Sequence, residues 1–289
     1  METRDPDDAL TLCLLATHPG LRLAAITVNP GTPQQIAVVR EILHRLERSV
    51  PIGARDSSST KADAVSAFHP AWLGTLPDAK ADGIAHEIMA QALTADPGAV
   101  LLTGAPLHNL RHLLREHPSV TIRRWVAQGG FAGDNLVPPE HRLAKFAGRT
   151  FCESFNFGGD KKATLAALAS PQIAQRDLVS KNVTHGFAWD ADLQARLLGR
   201  SDLHAGAVLA REAMAVYLRE HPEGKLLHDP LAACAILDRD AFEWDEVEVV
   251  YERGQWGARL NSGTRTFITI AIDPARAEAA LFAQDELVR

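Results

Sequence analysis

The sequence is short of cysteine, of long apolar runs and of positive charge. Its three cysteines, Cys13, Cys152 and Cys234, are odd in number and widely spaced. This excludes a disulfide framework or a cysteine zinc site and favours reduced thiols. No apolar run approaches the roughly 18 residues that cross a bilayer, and residues 1–5 are too polar and acidic for a secretory signal. We therefore expect a cytoplasmic protein with no membrane partner.

Acidic residues outnumber basic ones, 36 to 30, which gives a formal net charge of −6. A protein that binds the phosphate backbone of nucleic acid needs a basic face, so this balance argues against a nucleic-acid partner. It leaves room for a cationic ligand such as a metal ion. The chain has 289 residues, 46% of them hydrophobic, and a domain of this size buries about three quarters of its unfolded surface. We predict a single domain over residues 1–289.

Hydrophobic periodicity predicts strands that alternate with helices. The expected strands are residues 21–28, 50–54, 99–103, 122–127 and 177–184, and the expected helices are 9–18, 33–47, 81–93, 107–116, 165–169, 203–220, 229–237 and 274–287. Three further segments, 246–252, 258–260 and 265–272, form an expected antiparallel group. We predict an α/β fold with a mainly parallel central sheet, helices on both faces and a small antiparallel addition near the C-terminus. Ligands bind such sheets outside the carboxyl ends of the strands.

The densest acidic cluster is Asp5-Pro6-Asp7-Asp8, directly before the first predicted helix. One interpretation is a helix N-cap with favourable first-turn charges. Three aspartates in four residues exceed what capping needs, however. Their repulsion would be relieved by a divalent cation that prefers oxygen ligands, such as calcium or magnesium. The cluster is therefore either a cap or part of a metal site.

Four further segments carry polar groups at a strand end or a helix start. They are LLTGAPLHNL at 101–110, QGGF at 128–131, SFN at 154–156 and LLHDPLA at 226–232. Capping explains Asp229 and the following proline, and turn formation explains the paired glycines. Capping does not explain His228. Asn156, if buried, would need hydrogen-bond partners for its amide.

Taken in order, DPDDALTL, ITVNPG, LLTGAPLHNL, QGGF, SFN and LLHDPLA resemble segments of the inosine-uridine-preferring nucleoside hydrolase family over almost the whole chain. The resemblance implies a nucleoside-hydrolase-like fold. It also implies a calcium-dependent hydrolase that cleaves the N-glycosidic bond of a ribonucleoside or a related N-riboside. The implied partner is a small-molecule nucleoside-like substrate, and the protein could be a homo-oligomer, as family members commonly are.

The resemblance also assigns roles to individual residues. Asp7 matches the general base, which would act on a calcium-bound water, and His228 matches the histidine near the leaving base. The implied metal ligands are Asp8, Asp229, the backbone carbonyl of Thr103, and Glu2 or its competitor Asp5. The implied substrate-binding residues are Asn156, Glu153, Gln128, Thr32 and His69. The residue types suit this chemistry, because calcium lowers the pKa of a bound water and histidine titrates near neutrality.

Several positions depart from the family pattern. The first aspartate of the acidic motif would lie before Met1, as would the family's first strand, and we expect the start to have been placed too late. Ser154 stands at the glutamate position of the Glu-Phe-Asn segment, with Glu153 beside it. The loop 57–74, which contains His69, is either the family's mobile lid or a plain solvated loop. The ribose pocket is therefore altered, which suggests a modified sugar, a phosphorylated or larger substrate, or lost activity.

Two alternatives remain open at this point. The first is a catalytically silent homologue that binds a nucleoside-like ligand, which the altered ribose contacts favour. The second is a different metal-dependent hydrolase, such as a phosphoesterase. The sequence has no Walker-type loop, which counts against this second class.

Overall fold

The computed structural model describes residues 1–56, 58–59 and 64–283. The helices in these ranges are α1 Asp7–Ala16, α2 Pro33–Arg45, α3 Phe68–Leu73, α4 Ala85–Ala95, α5 His108–Glu116, α6 Phe155–Gly159, α7 Lys161–Ala169, α8 Lys181–Thr184, α9 Ala191–Leu198, α10 Ala205–Glu220, α11 His228–Leu237 and α12 Pro274–Phe282. The strands are β1 Ile26–Val28, β2 Ile52–Ala54, β3 Gly83–Ile84, β4 Val100–Thr103, β5 Arg124–Gln128, β6 Phe151–Cys152, β7 Arg176–Val179, β8 Ala188–Trp189, β9 Lys225–Leu226, β10 Phe242–Glu252, β11 Gln255–Leu260 and β12 Thr266–Ile272.

The strands form a largely parallel arrangement with an antiparallel extension. A seven-stranded sheet has the order β4-β5-β7-β12-β10-β11-β6, and a separate three-stranded sheet has the order β1-β2-β3. The pairs β4–β5, β5–β7, β7–β12, β1–β2 and β2–β3 are parallel. The pairs that β10 makes with β11 and β12 are antiparallel. The predicted fold class and the small C-terminal antiparallel addition are confirmed.

Helices cover both faces of the sheet because its central strands are apolar on both sides. In β5, Val126 faces the core that packs against α1, α2 and α10–α12, whereas Trp125 and Ala127 face the core that packs against α4, α5 and α7. In β7, Val179 and Leu178 divide between the same two cores. This alternation follows from the two-residue repeat of a strand. It leaves the carboxyl ends of β4, β5 and β7 as the accessible edge of the fold.

Several boundaries differ from the predicted ones, including the following four. The strand predicted at 21–28 begins only at Ile26, because the preceding residues lie along an apolar cavity of 300 Å³ between β1 and β4. The strand predicted at 177–184 was wrong beyond Val179, since Ser180 bonds to Thr269 on β12 and the chain then turns into α8. The loop expected at 57–74 contains α3. The closing helix ends at Phe282, and residues 284–287 of that prediction lie outside the described residues.

Two features bear on the expected location of the protein. All three cysteines are buried and free of disulfides. Across the described ranges, none of the helices combines the length and apolar character that a bilayer span requires.

Candidate active site

Two helix N-termini meet beyond the carboxyl end of β4. At the start of α1, the backbone N–H of Asp7 donates to the Asp5 carboxylate at 2.8 Å, a local turn that aspartate side chains favour. At the start of α11, the backbone N–H of Asp229 donates to Asp7 Oδ2 at 3.1 Å, across 222 residues of sequence. Helix N-termini carry partial positive charge, so both helices favour carboxylates here. The acidic segment and the His-Asp-Pro segment thus form one structure.

The carboxylates at this junction are poorly compensated. Asp7 is 4% exposed and Asp229 is 5% exposed. Burial raises the pKa of Asp8 to about 7. Burial also raises the pKa of Asp7 against the opposing effect of Lys225, and burial together with Asp8 and Asp7 raises the pKa of Asp229. Asp7 Oδ1 is buried without a hydrogen-bond partner. Buried carboxylates with raised pKa values in a cleft are typical of functional sites.

Gly104 allows the end of β4 to approach these carboxylates. A Cβ at this position would lie 2.5 Å from Asp229 Oδ1, so only glycine fits without moving the carboxylate. Thr103, the last residue of β4, accepts a hydrogen bond from Trp125 Nε1 through its hydroxyl at 2.9 Å. This bond fixes the strand end that Gly104 follows.

Lys225 is a cation in the same wall. Its side chain is 12% exposed, and its Nζ lies 3.0 Å from Asp5 Oδ2. Burial disfavours the charge of Lys225, but the attraction of Asp7 and Asp5 outweighs it and raises the pKa of the lysine. Glu2 is held nearby, where its Oε1 accepts from Asn29 Nδ2 at 3.2 Å. The acidic wall is therefore partly neutralised by the protein itself.

The opposite wall is built from the ends of β5 and β7 and the start of α6. Asn156, which is 5% exposed, donates through Nδ2 to Gln128 Oε1 at 2.7 Å and to the Gln128 backbone carbonyl at 3.2 Å. Ser154 precedes α6 and is also buried. The two amides predicted to contact the substrate are thus oriented by each other.

A pair of histidines forms the third side. His228 Nδ1 lies 2.9 Å from Thr184 Oγ1, and its ring packs edge-on against His185 with centroids 4.8 Å apart. Burial, followed by the charge of Lys225, lowers the pKa of His228 to about 4. Burial and the neighbouring His228 lower the pKa of His185 to about 3. Both imidazoles are neutral at pH 7, so His228 can form hydrogen bonds in this state but is not a preformed imidazolium.

These groups enclose a cavity of 440 Å³. Its lining consists of Glu2, Arg4, Asp5, Asp7, Asp8, Gly104, Gln128, Ser154, Phe155, Asn156, Lys181, His185, Lys225, His228 and Asp229. Eight of the residues proposed from the sequence belong to this lining, namely Glu2, Asp5, Asp7, Asp8, Gln128, Asn156, His228 and Asp229. Thr103 lies one residue before the lining Gly104 at the end of β4.

Three residues that were predicted to bind substrate lie elsewhere. Thr32 is the N-cap of α2, where its hydroxyl accepts from the backbone N–H of Gln35 at 3.2 Å. His69 is fully buried in α3, near Ser66, and burial lowers its pKa to about 4. The Glu153 side chain is exposed. In this structure the three side chains do not reach the cavity, and Ser154, not Glu153, lines it.

Sequence reasoning missed several lining residues, among them Lys181, His185 and Lys225. Lys181 falls within the strand that was predicted at 177–184, and His185 directly follows it. With the strand ended at Val179, the rule that ligands bind at carboxyl ends would have selected Lys181. Lys225 lies only three residues before His228 and carried no pattern of its own.

The donor chemistry of the acidic wall suits a hard divalent cation. Asp8 and Asp229 offer carboxylate oxygens, the Asp7 Oδ1 atom lacks a partner, and buried carboxylates of raised pKa gain most from a cation. Across the described part of the chain, no three His, Cys, Asp or Glu side chains are already grouped as metal ligands. The carboxylates would therefore have to move towards one another to hold an ion.

The fold of this chain is similar to that of solved nucleoside hydrolases. A plant nucleoside hydrolase, the PpNRh1 enzyme, has a TM-score of 0.72 and 20% identity, with 96% of this chain and 95% of that chain covered. The inosine-uridine preferring nucleoside hydrolase from Bacillus anthracis has a TM-score of 0.69 and 19% identity, with 96% and 95% covered. An uncharacterized protein from Aquifex aeolicus is 29% identical over 279 residues, 93% of this chain and 92% of that protein. The fold is that of the nucleoside hydrolases.

The sequence profile of the inosine-uridine preferring nucleoside hydrolases matches residues 4–279. The chain therefore belongs to the inosine-uridine preferring nucleoside hydrolase family, whose members are hydrolases of N-glycosidic bonds. The resemblance drawn from the sequence motifs is confirmed. This family generally binds a metal ion.

Proposed function

We propose that the protein is a calcium-dependent hydrolase that cleaves the N-glycosidic bond of a ribonucleoside or related N-riboside, with Asp7 as the general base. The observation that carries this proposal is the Asp7 carboxylate. Its Oδ2 accepts from the Asp229 N–H, which fixes the group, while its Oδ1 is buried without a partner. A carboxylate held in this way can accept a proton from an attacking water.

The same wall suits the charge that develops in the reaction. Cleavage of a glycosidic bond passes through an oxocarbenium-like ribose, which carries positive charge. Asp7, Asp8 and Asp229 surround the end of the cavity where that charge would form. An acidic wall of low solvent access stabilises it more than water would.

The remaining roles follow from the other two walls. Asn156, oriented by Gln128, is placed to hydrogen-bond ribose hydroxyls. If Thr184 donates its hydroxyl proton to His228 Nδ1, the ring carries its own proton on Nε2 and can donate a hydrogen bond to the departing base. His228 then polarises the base instead of transferring a proton from an imidazolium.

Calcium is the cation that we assign to the acidic wall. Asp8, Asp229, the Thr103 carbonyl and either Glu2 or Asp5 are the oxygen ligands that would hold it. When bound, the ion lowers the pKa of a water and orients the ribose hydroxyls. We also place the protein in the cytoplasm, which its three buried, free thiols support.

The test is base release from a panel of ribonucleosides and from p-nitrophenyl riboside, in calcium and in chelator. We expect Asp7→Asn to lower kcat by about 10²–10⁴, the usual contribution of a general base. Asp192→Asn is the matched control, because Asp192 also lies in the first turn of a helix, α9, but is exposed. Full activity in Asp7→Asn would remove Asp7 from the base role.

The hydrogen bonds between Asn156 and Gln128 also support a second candidate, a silent homologue that only binds a nucleoside-like ligand. In these bonds the two amides are already satisfied by each other. This candidate predicts binding by calorimetry with no base released from any member of the panel. Release of free base would exclude it.

A further inference from the structure

The cavity has a cationic side that the proposed hydrolysis does not use. Lys181 lines the cavity at the end of β7, and its Nζ donates to the neutral backbone carbonyl of Glu153 at 3.1 Å. Within the described ranges Lys181 has no carboxylate partner. Its charge is therefore compensated by a dipole only and remains available to an anion.

A second lysine reinforces the first. Lys145 Nζ lies 2.6 Å from His185 Nδ1, and His185 lines the cavity. Lys145 also has no carboxylate partner in the part of the chain that the structure describes; its other neighbour is the Phe146 ring, 5.3 Å from Nζ. Lys181 thus lines the His185 side of the cavity, and Lys145, which is not one of the lining residues, contacts His185.

Among the described residues that line the cavity, the acidic ones are Glu2, Asp5, Asp7, Asp8 and Asp229, and neither lysine is paired with any of them. Ser154 is the buried residue beside Lys181's acceptor, and its side chain is neutral. The Glu153 side chain, which would have supplied a negative charge, is exposed and outside the cavity lining. The acidic groups Asp7 and Asp229 belong to the opposite wall. The cavity is therefore electrically polarised: one wall carries the carboxylates, partly neutralised by Lys225, and the other carries Lys181.

We propose that the substrate is an N-riboside that carries a phosphate group, and that Lys181 binds that phosphate, with Lys145 adding positive charge next to His185. A phosphate monoester carries about −1.5 to −2 charges at pH 7. A ligand with this charge suits two ammonium groups better than a ligand with a single carboxylate does. Lysine is a common phosphate binder, as a point charge. This inference rests on the proposed function for the identity of the reacting bond.

The test measures binding separately from turnover. Asp7→Asn protein in calcium buffer is titrated in a calorimeter with inosine and its 5′-monophosphate, and with uridine and its 5′-monophosphate. We expect the monophosphates to bind at least tenfold more tightly than the nucleosides. Inorganic phosphate, ribose 5-phosphate and an N-riboside with a carboxylate on its base are the further ligands, which separate a free-phosphate site and a base-carboxylate site from the proposed one.

The lysines are then removed one at a time in the same background. Lys181→Gln and Lys145→Gln should each reduce the ratio of monophosphate to nucleoside affinity, by about tenfold for Lys181, and Lys181→Arg should retain most of it. Lys162→Gln is the matched control, since Lys162 is exposed on α7 and should leave the ratio unchanged. A lysine with a merely structural role would weaken both ligands equally and would leave the ratio as it was.

Three outcomes would overturn the inference: nucleosides that bind as tightly as monophosphates, inorganic phosphate that binds as tightly as either monophosphate, or tighter binding of the base carboxylate. The proposed function fails in a different way. Tight binding of a monophosphate with no base release by the native protein would support the phosphate site and reject hydrolysis. Release of base from nucleosides with no preference for monophosphates would support hydrolysis and reject the phosphate site.

Discussion

Two buried carboxylates in this protein, those of Asp177 and Asp7, differ in how their charge is compensated by hydrogen-bond and ion-pair partners. Asp177 on β7 is fully buried, and its carboxylate accepts from Arg124 Nε at 2.7 Å, Arg239 Nε at 3.3 Å and Gln175 Nε2 at 3.0 Å. Asp7 on α1 is 4% exposed, and one of its oxygens has no partner. A buried carboxylate with every oxygen paired holds the fold together, whereas an unpaired one is a cost that the fold sustains for chemistry.

The same contrast explains why the site lies where it does. Arg124 connects Asp177 to the Ala235 carbonyl of α11 at 2.7 Å, so the paired group fastens α11 to the sheet. Asp229 lies in the first turn of the same helix and contacts Asp7 through its backbone N–H. One helix therefore carries a structural anchor near its C-terminus and a reactive carboxylate at its N-terminus.

The largest expected effect that separates the two groups is on stability. Asp177→Asn leaves Arg124 and Arg239 without their shared partner, and breaking a buried ion pair costs about 3–5 kcal/mol. Asp7→Asn removes an uncompensated charge and should change the free energy of unfolding by less than about 1 kcal/mol. Urea denaturation measures the free energy of unfolding of both variants. An equal decrease in the two would contradict the proposed difference between Asp177 and Asp7.

The next effect concerns metal and pH. Without a cation, Asp8 in the folded protein keeps its proton up to a pKa of about 7, whereas in the unfolded chain it loses the proton near 4. Its contribution to stability therefore decreases as pH rises from about 4 to 7. Because calcium binds the ionised carboxylates, the increase in Tm that calcium produces should grow over the same range and level off above it.

The expected size of this stabilisation is about 2.7 kcal/mol at a calcium concentration a hundred times Kd. Scanning calorimetry in calcium and in chelator, at several pH values, measures it. Asp8→Asn should abolish both the stabilisation and its pH dependence. A calcium effect that stays the same from pH 5 to 8 would argue against ligands of raised pKa.

The smallest expected effect tests the contact between β4 and the reactive carboxylates. A methyl group at Gly104 would displace the Asp229 carboxylate, so Gly104→Ala should weaken calcium binding by about tenfold, which corresponds to 1.4 kcal/mol. Gly158→Ala on α6 is the matched control, because a Cβ there meets nothing within 4 Å. Calorimetric titration with calcium compares the two, and equal affinities would show that Asp229 is not a ligand.

Much of the acidic wall was readable from the sequence. Asp7, Asp8 and Asp229 stand in short motifs that open predicted helices and that match segments of the family in order, and this resemblance assigned them to the site. The cationic side was not readable. Lys181 depended on a strand end that hydrophobic periodicity could not locate, because no glycine or proline separates β7 from α8 in the sequence.

The direction in which a side chain points could not be predicted from the sequence either. Glu153 and Ser154 are adjacent, and only the pairing of β6 and the start of α6 decides which of them faces the cavity. The order of motifs by itself determined the family resemblance and, through it, the candidate residues of the acidic wall, and the alternation of apolar segments determined the α/β fold. Tertiary structure alone decided the pairing of Lys225 with Asp5, the neutral state of His228 and the lysines on the facing wall, since charge and burial at the site depend on groups that are distant in sequence.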